Sequence, residues 1–461
     1  MSRNSAKHLY IRTFGCQMNE HDSDRIRAML AAYGYASVDA PEEADLILFN
    51  TCTIREKAHH KAMSEIGRAR VFKRRRPGTI VGVCGCVAQE VKGSLFERYP
   101  HVDLMFGPDQ IPMLPELLEE ALAGRKASAL DLIDDPSRYR FLGSVSPVTD
   151  HDSRLTINGS RVTSFVSIMK GCNCACSYCI VPSVRGREVC RPPDEVVEEV
   201  RRLAEAGTKE VTLLGQNVNA YDISIHDSRF TIHETFASLL RRVARETGIE
   251  RIRFTSPHPR DVRDDLVREY AENEKLMPHM HLPVQAGSNA VLRRMRRGYT
   301  RERYLEICDK LRDSRPGISI TTDLIVGFCG ETESDFEETL SLVRRVEFDS
   351  AFAFKYSPRP GTEAAEKFED DVPPMEKERR LAALLSLQLE LSRRKNEAWV
   401  GRESLALITG SDRMGRGLLT GRLPDNRIIH FAGKPEHLGT IVRVRVTAAH
   451  ANSLAAEVVK A

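Results

Sequence analysis

The chain alternates short apolar runs with amphipathic helical patterns, and this alternation restricts its fold more than any other feature of the sequence. In the first ninety residues, apolar runs over 8–14, 45–49 and 79–83 each lead into a cysteine and then into a helical pattern. Strands that alternate with helices form parallel sheets, whose ligands collect at the carboxyl ends of the strands. We therefore expect an N-terminal parallel α/β domain with three cysteine-containing loops at one edge of its sheet.

These loops contain Cys16, Cys52, Cys84 and Cys86, four of the eleven cysteines in the chain. Either of the last two could be a ligand, and spacing alone does not decide between them. Residues 1–12 lack an apolar secretion segment, and no run approaches the roughly 20 apolar residues of a membrane helix. These features predict a cytoplasmic protein without a membrane association. Because cytosolic thiols stay reduced and an odd number cannot all pair, we expect metal or redox chemistry.

A second domain with six β/α units follows the segment 125–157, which has little periodicity and which we interpret as a linker. The six apolar runs of this domain cover 165–169, 211–214, 252–255, 280–284, 318–326 and 352–356. Six units are two fewer than a complete eight-fold β/α barrel contains. We therefore predict an open (β/α)6 barrel over 158–395, preceded by an N-terminal domain over 8–124.

The last part of the chain changes to short alternating strands. Five such strands between Ser404 and Val459 predict a small all-β barrel of OB-like type over 398–461. This region contains nine Lys and Arg against five Asp and Glu, whereas the whole chain has 68 against 65. The net charge of the chain is too small to indicate nucleic acid, but the local excess of basic residues favours an RNA-binding role for the barrel.

The strongest chemical signal is the group Cys172, Cys174, Cys176 and Cys179, directly after the first barrel strand. Thiolates are soft ligands for zinc and for iron–sulfur clusters, and structural zinc sites usually use two separated cysteine pairs. Taking the first, third and fourth cysteines gives the spacing Cys-x3-Cys-x2-Cys, which lets one loop hold three corners of a cubane cluster. Cys174 could also replace its neighbour Cys176. An open fourth iron at a barrel mouth favours catalysis over electron storage.

This loop resembles the cluster-binding loop of the radical S-adenosylmethionine (SAM) enzymes, including the aromatic residue Tyr178 before the last cysteine. The segments 13–19, 50–58 and 85–89 are similar to those of the methylthiotransferases within that superfamily. The stretch 215–221 resembles the bacterial branch that modifies tRNA at N6-isopentenyladenosine 37, and the last domain resembles the TRAM domain of RNA-modifying enzymes. The resemblance extends over nearly the whole chain.

The resemblance implies an N-terminal methylthiotransferase domain, a radical SAM core, a TRAM domain and two [4Fe–4S] clusters with three cysteine ligands each. The family spacing selects Cys16, Cys52 and Cys86 for one cluster and Cys172, Cys176 and Cys179 for the other. It implies that the open iron of the core cluster binds SAM, and that an electron then generates a 5′-deoxyadenosyl radical that can remove the inert C2 hydrogen of adenine. The second cluster would hold the added sulfur. No catalytic residues beyond the cluster ligands are implied.

SAM should lie against neighbouring ends of the barrel strands. The candidate contacts are Tyr178, Gly215, Gln216, Asn217, Gln285 and Asp323. Any one of these residues could instead serve only to cap a strand end. Two basic runs, 73–76 and 293–297, could hold tRNA phosphates or form solvated helix faces. We favour phosphate binding for the second run and a solvated face for the first.

The leading hypothesis is an enzyme that converts N6-isopentenyladenosine 37 of tRNA to its 2-methylthio derivative. Its partners would be tRNA with a prenylated A37, an electron donor protein and a sulfur source, and exposed apolar surface near the barrel mouth would hold the isopentenyl group. One alternative is methylthiolation of an aspartate in a ribosomal protein, against which the stretch 215–221 argues. Another is a non-catalytic Fe–S RNA-binding protein, but structural sites normally use four protein ligands rather than three.

Overall fold

In the computed structural model, a parallel sheet, an open β/α barrel and a closed β-barrel follow one another along the chain. The structure describes residues 7–53, 56–135, 138–139, 141, 156–157, 160–226, 231–411 and 417–459. This order confirms the predicted fold class. None of the helices in these ranges has the length and apolar character needed to cross a membrane.

The N-terminal domain is a six-stranded parallel sheet flanked by helices. Its elements are β1 (Lys7–Thr13), α1 (Gln17–Ala32), β2 (Tyr35–Ser37), β3 (Leu46–Thr51), α2 (Glu56–Arg68), α3 (Arg70–Arg75), β4 (Ile80–Gly85), α4 (Cys86–Val91), α5 (Ser94–Arg98), β5 (Leu104–Phe106), α6 (Leu114–Leu122) and β6 (Ala127–Ala129). The strand order is β2-β1-β3-β4-β5-β6. β3 and β4 are central and buried throughout, which is why continuous apolar runs mark them in the sequence. The loops after β1, β3 and β4 therefore open at one edge.

This sheet is wider than the sequence predicts. β2, β5 and β6 have three residues each, too few to show a period. β6 has the sequence Ala-Ser-Ala and lies in the segment 125–157 that we interpreted as a linker, so the interpretation was wrong for these residues. The following residues also stay attached to the domain, because the amide of Ile133 donates to Asp109 Oδ2 at 2.9 Å. Most of 136–159 lies outside the described residues.

The central region contains the barrel strands and the helices that surround them. Its elements are β7 (Thr156–Ile157), β8 (Ser160–Arg161), β9 (Thr163–Ser167), β10 (Met169–Lys170), α7 (Val181–Arg185), β11 (Val189–Cys190), α8 (Pro193–Glu205), β12 (Glu210–Leu214), β13 (Asp222–His226), β14 (Thr231–Thr235), α9 (Phe236–Glu246), β15 (Arg251–Phe254), α10 (Asp264–Glu272), β16 (His279–His281), α11 (Asn289–Arg294), α12 (Arg301–Ser314), β17 (Ser319–Val326), α13 (Glu333–Val346), β18 (Ser350–Lys355), α14 (Glu363–Lys367) and α15 (Pro374–Glu397).

All six predicted barrel strands are present. β9, β12 and β15 form one parallel sheet, and β16, β17 and β18 form another. A parallel bridge between Ile252 and Leu276 joins the halves, and the amide of Ile252 donates to the carbonyl of Lys275 at 2.8 Å. Within the described ranges β9 and β18 are not paired, so the barrel is open there. Its apolar core includes Val211 and Leu324, both fully buried.

The C-terminal region is a closed five-stranded barrel. Its strands are β19 (Glu403–Ser411), β20 (Leu419–Arg422), β21 (Ile428–Phe431), β22 (Ile441–Ala449) and β23 (Leu454–Val458), in the order β19-β20-β21-β23-β22. Arg251 Nη2 donates to the carbonyl of Leu405 at 3.0 Å, and Arg253 Nη2 donates to that of Leu423 at 3.0 Å. Because Arg251 begins β15, the small barrel is attached where the core strands start, at the end opposite the cysteine loop.

Candidate functional site

Cys16, Cys52 and Cys86 lie together at the carboxyl edge of the N-terminal sheet. Cys16 precedes α1, Cys52 follows β3 and Cys86 begins α4. A hydrogen bond with Cys52 lowers the pKa of Cys16 to about 6. Burial raises the pKa of Cys86, and the nearby charge of Cys16 contributes to that rise. The three thiols, which are far apart in sequence, are therefore neighbours in space.

Two buried amides fix the loops that carry this trio. Asn19 Nδ2 donates to Asn50 Oδ1 and to the carbonyl of Thr51, both at 3.1 Å. Asn50 Nδ2 in turn donates to the carbonyl of Asn19 at 2.8 Å. These bonds tie the start of α1 to the end of β3. The positions of Cys16 and Cys52 are thereby set relative to each other.

The second trio comes from the single loop between β10 and α7. The amide of Cys179 donates to the carbonyl of Cys176 at 3.0 Å, and the amide of Cys172 donates to that of Gly186 at 3.1 Å. Gly171 has φ +74°, and a side chain there would overlap the backbone of the chain returning after α7. Burial, followed by the charge of Cys176, raises the pKa of Cys179 to about 12. The loop is therefore held by local backbone contacts.

The additional cysteines have different surroundings. Cys84 is buried in an apolar cluster with Phe106, and burial raises its pKa well above the ordinary value. Cys174 Sγ accepts hydrogen bonds from Arg260 Nη2 at 3.4 Å and from Asn217 Nδ2 at 3.6 Å. Apolar neighbours surround or partly cover the remaining three, Cys190, Cys308 and Cys329. Cys84 is thus an apolar core residue, whereas Cys174, like Cys176, accepts a hydrogen bond from an arginine.

Four of the predicted SAM contacts lie at the cysteine loop. Tyr178 belongs to the loop, and the side chain of Gln216 accepts a hydrogen bond from the amide of Gly171. Gly215 lies so close to β10 that a side chain would collide with it. Gln216 Nε2 and Asn217 Oδ1 are buried without a hydrogen-bond partner in the described part of the chain. Because buried polar groups are normally satisfied, these atoms fit a polar ligand beside them.

The other two predicted contacts, Gln285 and Asp323, lie on the second half of the barrel. Gln285 has φ +74°, and its amide donates to the carbonyl of Asp323 at 2.9 Å. The carboxylate of Asp323 is 3.5 Å from His281 Nε2. Among the described residues, no hydrogen bond or ion pair joins either side chain to the cysteine loop. Arg297 bonds both Cys176 and the carbonyl of Pro283, two residues before Gln285, and the roles of Gln285 and Asp323 stay predictions.

Two residues at the loop were missed by sequence reasoning. His258 follows β15, and one of its nitrogens lies within 4.8 Å of the Cys174 sulfur. Its Nε2 is buried without a partner in the described ranges, and burial lowers its pKa to about 2. Arg297 donates to Cys176 Sγ at 3.3 Å and to the Tyr178 hydroxyl at 3.4 Å. A histidine between two prolines at a strand end was the available signal for His258.

The basic run 293–297, for which we favoured phosphate binding, is exposed at Arg293, Arg294 and Arg296. Arg297 is buried, so it is not available to a phosphate on the surface. Arg294 Nη1 donates to the carbonyl of Cys329 at 3.3 Å, and Arg296 Nη2 pairs with Glu363 at 2.6 Å. Three arginines of this run therefore form hydrogen bonds or ion pairs with groups of the same chain. The sequence could not show this, because adjacent arginines look alike until the chain is folded.

The two cysteine trios meet at the contact between the N-terminal sheet and the barrel. Ile180, the residue after Cys179, packs in one apolar cluster with Cys86 and Val184. Nearby, Lys170 Nζ lies 2.5 Å from Asp109 Oδ2, and both side chains are almost fully buried. Apolar packing and a buried ion pair thus hold the two sites beside each other.

The fold and its cysteine loop define a radical SAM enzyme with a TRAM barrel. Three family models match the chain: the Radical SAM superfamily over 166–343, "Uncharacterized protein family UPF0004" over 8–107 and the TRAM domain over 397–459. Membership of the radical SAM superfamily implies a [4Fe–4S] cluster and SAM. The donor set fits these groups, since it combines clustered thiols with unsatisfied buried amides.

Full-length relatives refine this class. The chain is 44% identical over 448 residues to the tRNA-2-methylthio-N(6)-dimethylallyladenosine synthase of Syntrophotalea carbinolica, covering 97% of this chain and 98% of the relative. It is 47% identical over 454 residues to the enzyme of that name from Anaeromyxobacter sp., with coverage of 97% and 93%. The chain belongs to the tRNA-2-methylthio-N(6)-dimethylallyladenosine synthase family.

A solved structure shows the same kind of fold in a distant relative. The radical S-adenosylmethionine methyltransferase TsrM from Kitasatospora setae, with cobalamin and a [4Fe-4S] cluster bound, aligns with a TM-score of 0.54 at 14% identity. The alignment covers 78% of this chain and 77% of that chain. At this identity the likeness concerns the fold alone.

Proposed function

We propose that this enzyme converts N6-isopentenyladenosine 37 of tRNA into 2-methylthio-N6-isopentenyladenosine. The observation that carries the proposal is the packing of Cys86 against Ile180, which sets one trio of thiols beside the other. The proposed cluster ligands are Cys172, Cys176 and Cys179 in the barrel and Cys16, Cys52 and Cys86 in the N-terminal domain. When bound, the core cluster and SAM supply the radical chemistry that removes the C2 hydrogen, and the second [4Fe–4S] cluster supplies the sulfur.

The side chains at the end of β12 orient SAM in this proposal. Gln216 Nε2 is a donor suited to the SAM carboxylate, and Asn217 Oδ1 is an acceptor suited to its ammonium group. His258 stays neutral because burial lowers its pKa to about 2, so its unpartnered Nε2 is a further polar contact. A pocket with both kinds of partner fits a zwitterionic amino acid group.

Exposed phenylalanines on β18 provide the apolar surface for the isopentenyl group. Phe352 and Phe354 are 53% and 40% exposed, and they pair with Asp323 and Ile325 on β17. Paired residues point to the same side of a sheet, while the intervening Leu324 is fully buried under the helices. The two phenylalanines therefore face the concave side of the barrel. Each Å2 of hydrocarbon that they cover contributes roughly 25 cal/mol, which favours a prenylated base.

Transfer of the methylthio group to a purified tRNA tests the proposal. With SAM, reductant and a sulfur source, tRNA carrying N6-isopentenyladenosine 37 should gain the group, while the same tRNA without the isopentenyl group should react poorly. Mass spectrometry of the digested nucleosides detects the product. Modification of a ribosomal protein with neither tRNA modified would overturn the proposal.

A variant separates the apolar surface from the chemistry. Phe352→Ala should reduce the preference for prenylated over unprenylated tRNA several-fold while SAM cleavage continues, because β18 belongs to the other half of the barrel from β9, which leads to the cysteine loop. Leu389→Ala, which changes an exposed apolar residue on α15, is the matched control. An unchanged preference in Phe352→Ala would contradict this placement of the isopentenyl group.

The C-terminal barrel supplies tRNA affinity in this proposal. Adenosine 37 lies in a single-stranded loop, where an unpaired base can be turned into a pocket without melting a duplex. Arg443 and Arg445 are exposed on β22, where both pair with Glu403; exposed ion pairs are weak, so this charge can be offered to RNA phosphates. Changing both to Ala should weaken tRNA binding and lower its salt dependence, with SAM cleavage unchanged. Unchanged binding would show that the tRNA affinity comes from another part of the enzyme.

The reaction also needs partners that the chain does not supply. An electron donor protein must reduce the core cluster, and a sulfur source must replace the sulfur that leaves with each product. Both belong to the proposal, together with a cytoplasmic location where tRNA is available.

A further inference from the structure

Arg297 is a buried cation without an acidic partner. Its side chain lies between α11 and α12 and is 5% exposed. Its guanidinium donates to Cys176 Sγ at 3.3 Å, to the hydroxyls of Tyr178 and Tyr299 at 3.4 and 3.2 Å, and to the carbonyl of Pro283 at 3.0 Å. Within the described ranges, no Asp or Glu forms an ion pair with it. Its hydrogen bonds are satisfied, but its charge is not balanced.

A charge in this position requires compensation. Taking an ion out of water costs several kcal/mol even after relaxation, and a buried charge without a counter-charge is strongly destabilising. The ionisable groups that Arg297 contacts are the thiol of Cys176 and the phenols of Tyr178 and Tyr299. Iron–sulfur clusters are held by cysteine thiolates, so a cluster bound through Cys176 supplies the negative charge that can balance Arg297.

The arginine near the other trio is arranged differently. Arg185 on α7 is also buried, but its Nη2 donates to Asp22 Oδ2 at 2.7 Å. Asp22 belongs to α1 of the N-terminal domain and also lies 3.7 Å from Arg25. Because Asp22 is shared by two buried arginines, it balances the charge of Arg185 only in part, and Arg185 also hydrogen-bonds Cys86 of the N-terminal trio.

We propose that Arg297 is a positioning residue that balances the negative charge of the core cluster and raises its reduction potential, whereas Arg185, which pairs with Asp22, affects the N-terminal cluster less. The inference rests on the proposed assignment of that cluster to Cys172, Cys176 and Cys179. A cluster held by three thiolates is anionic, and reduction adds one more negative charge. A fixed cation at the sulfur favours the reduced form, so its removal should make the cluster harder to reduce.

The test measures the core cluster alone, in full-length protein with Cys16, Cys52 and Cys86 changed to Ala. After anaerobic reconstitution, a potentiometric titration followed by electron paramagnetic resonance gives the midpoint potential. Arg297→Gln should lower the reduction equilibrium constant at least tenfold, which is about 59 mV for one electron. Arg297→Lys, which keeps the charge, should shift the midpoint potential less. Arg296→Gln is the matched control, because Arg296 is exposed and pairs with Glu363.

The outcomes separate this inference from the proposed function. Arg297→Gln with full iron and an unchanged midpoint would overturn the inference. If Arg297→Gln loses iron with unchanged circular dichroism and Arg297→Lys keeps its iron, the result supports the inference. Loss of iron in both variants would reject a role for the charge of Arg297. Absence of any cluster in the background protein would instead refute the ligand assignment.

The comparison with Arg185 is a second test. In full-length protein with Cys172, Cys176 and Cys179 changed to Ala, Arg185→Gln should shift the midpoint of the N-terminal cluster less than Arg297→Gln shifts that of the core cluster. Asp22 is the physical reason, since it partly neutralises Arg185 whereas Arg297 has no carboxylate partner among the described residues. An equal or larger shift would overturn the contrast between the two arginines.

Discussion

The two cysteine trios differ in how the chain builds them. Cys16, Cys52 and Cys86 come from three strand ends separated by more than thirty residues each, and they meet once the sheet has formed. The core trio lies within the eight residues 172–179 and is held by nearby backbone bonds. The first site is a product of tertiary structure, and the second is largely a product of one loop. The two should therefore respond differently to mutation and to loss of iron.

The largest effect is expected when each trio is removed. Changing Cys172, Cys176 and Cys179 to Ala should abolish both SAM cleavage and product, because no cluster would remain to bind and reduce SAM. The corresponding N-terminal triple variant should still cleave SAM but form no methylthio product. Each variant should keep about half of the reconstituted iron, measured with sulfide after anaerobic reconstitution. Loss of all iron from the core variant while it remains folded would contradict two separate sites.

The next largest effect is expected on stability, when the buried ion pair at the contact between the two trios is broken. Lys170→Met leaves the buried carboxylate of Asp109 without its partner and should lower the free energy of unfolding by about 3–5 kcal/mol. The double variant Lys170→Met/Asp109→Leu should recover most of this loss, since it removes both charges. Urea unfolding of the three proteins gives the values. Equal destabilisation by the single and double changes would show that packing, rather than charge, holds this contact.

Iron removal should also separate the trios. A cluster that joins distant residues closes longer loops of the unfolded chain than one that joins residues within a single loop, a difference of about 2 kcal/mol for each of the two loops that a cluster closes. Chelation should therefore destabilise a protein that retains the N-terminal cluster more than one that retains the core cluster. Thermal unfolding before and after chelation of the two triple variants measures this. The opposite ranking would mean that the N-terminal sheet is organised without its cluster.

The smallest effects are expected at the additional thiols. Cys84→Ala removes a small side chain from an apolar cluster and should cost about 1 kcal/mol with no loss of iron. Cys174→Ala should likewise keep both clusters and most activity. Cys86→Ala and Cys176→Ala are the matched comparisons, and each should lose a cluster. A comparable loss of iron in Cys84→Ala or Cys174→Ala would show that the ligands are misassigned.

The sequence predicts the frame of the molecule better than the surroundings of its sites. Continuous apolar runs mark β3, β4 and the barrel strands, because these strands are buried on both faces. The strand β6 and the hairpin of β13 and β14 were not predicted, since one is a short run of small residues and the other is polar and peripheral.

In the candidate site, too, the sequence predicts some residues and misses others. Asn217 was predicted from its place at a strand end, and its buried unpartnered oxygen fits that role. Arg297 could not be told from Arg296 in sequence, yet one is buried at a cysteine and the other pairs with Glu363 at the surface. Local pattern predicts strand ends, whereas the direction of a long side chain depends on packing between distant segments.

The attachment of the closed barrel to the starts of the core strands has a consequence for what the enzyme can accept. The cysteine loop lies at the opposite ends of these strands, and β12, which pairs with both β9 and β15, has five residues, about 17 Å at roughly 3.3 Å per residue. A substrate that contacts both ends must reach at least that far. A free nucleoside is too short to do so, even with the correct base. With the closed barrel as the proposed tRNA contact, the enzyme should therefore select substrates by their length as well as by their chemistry.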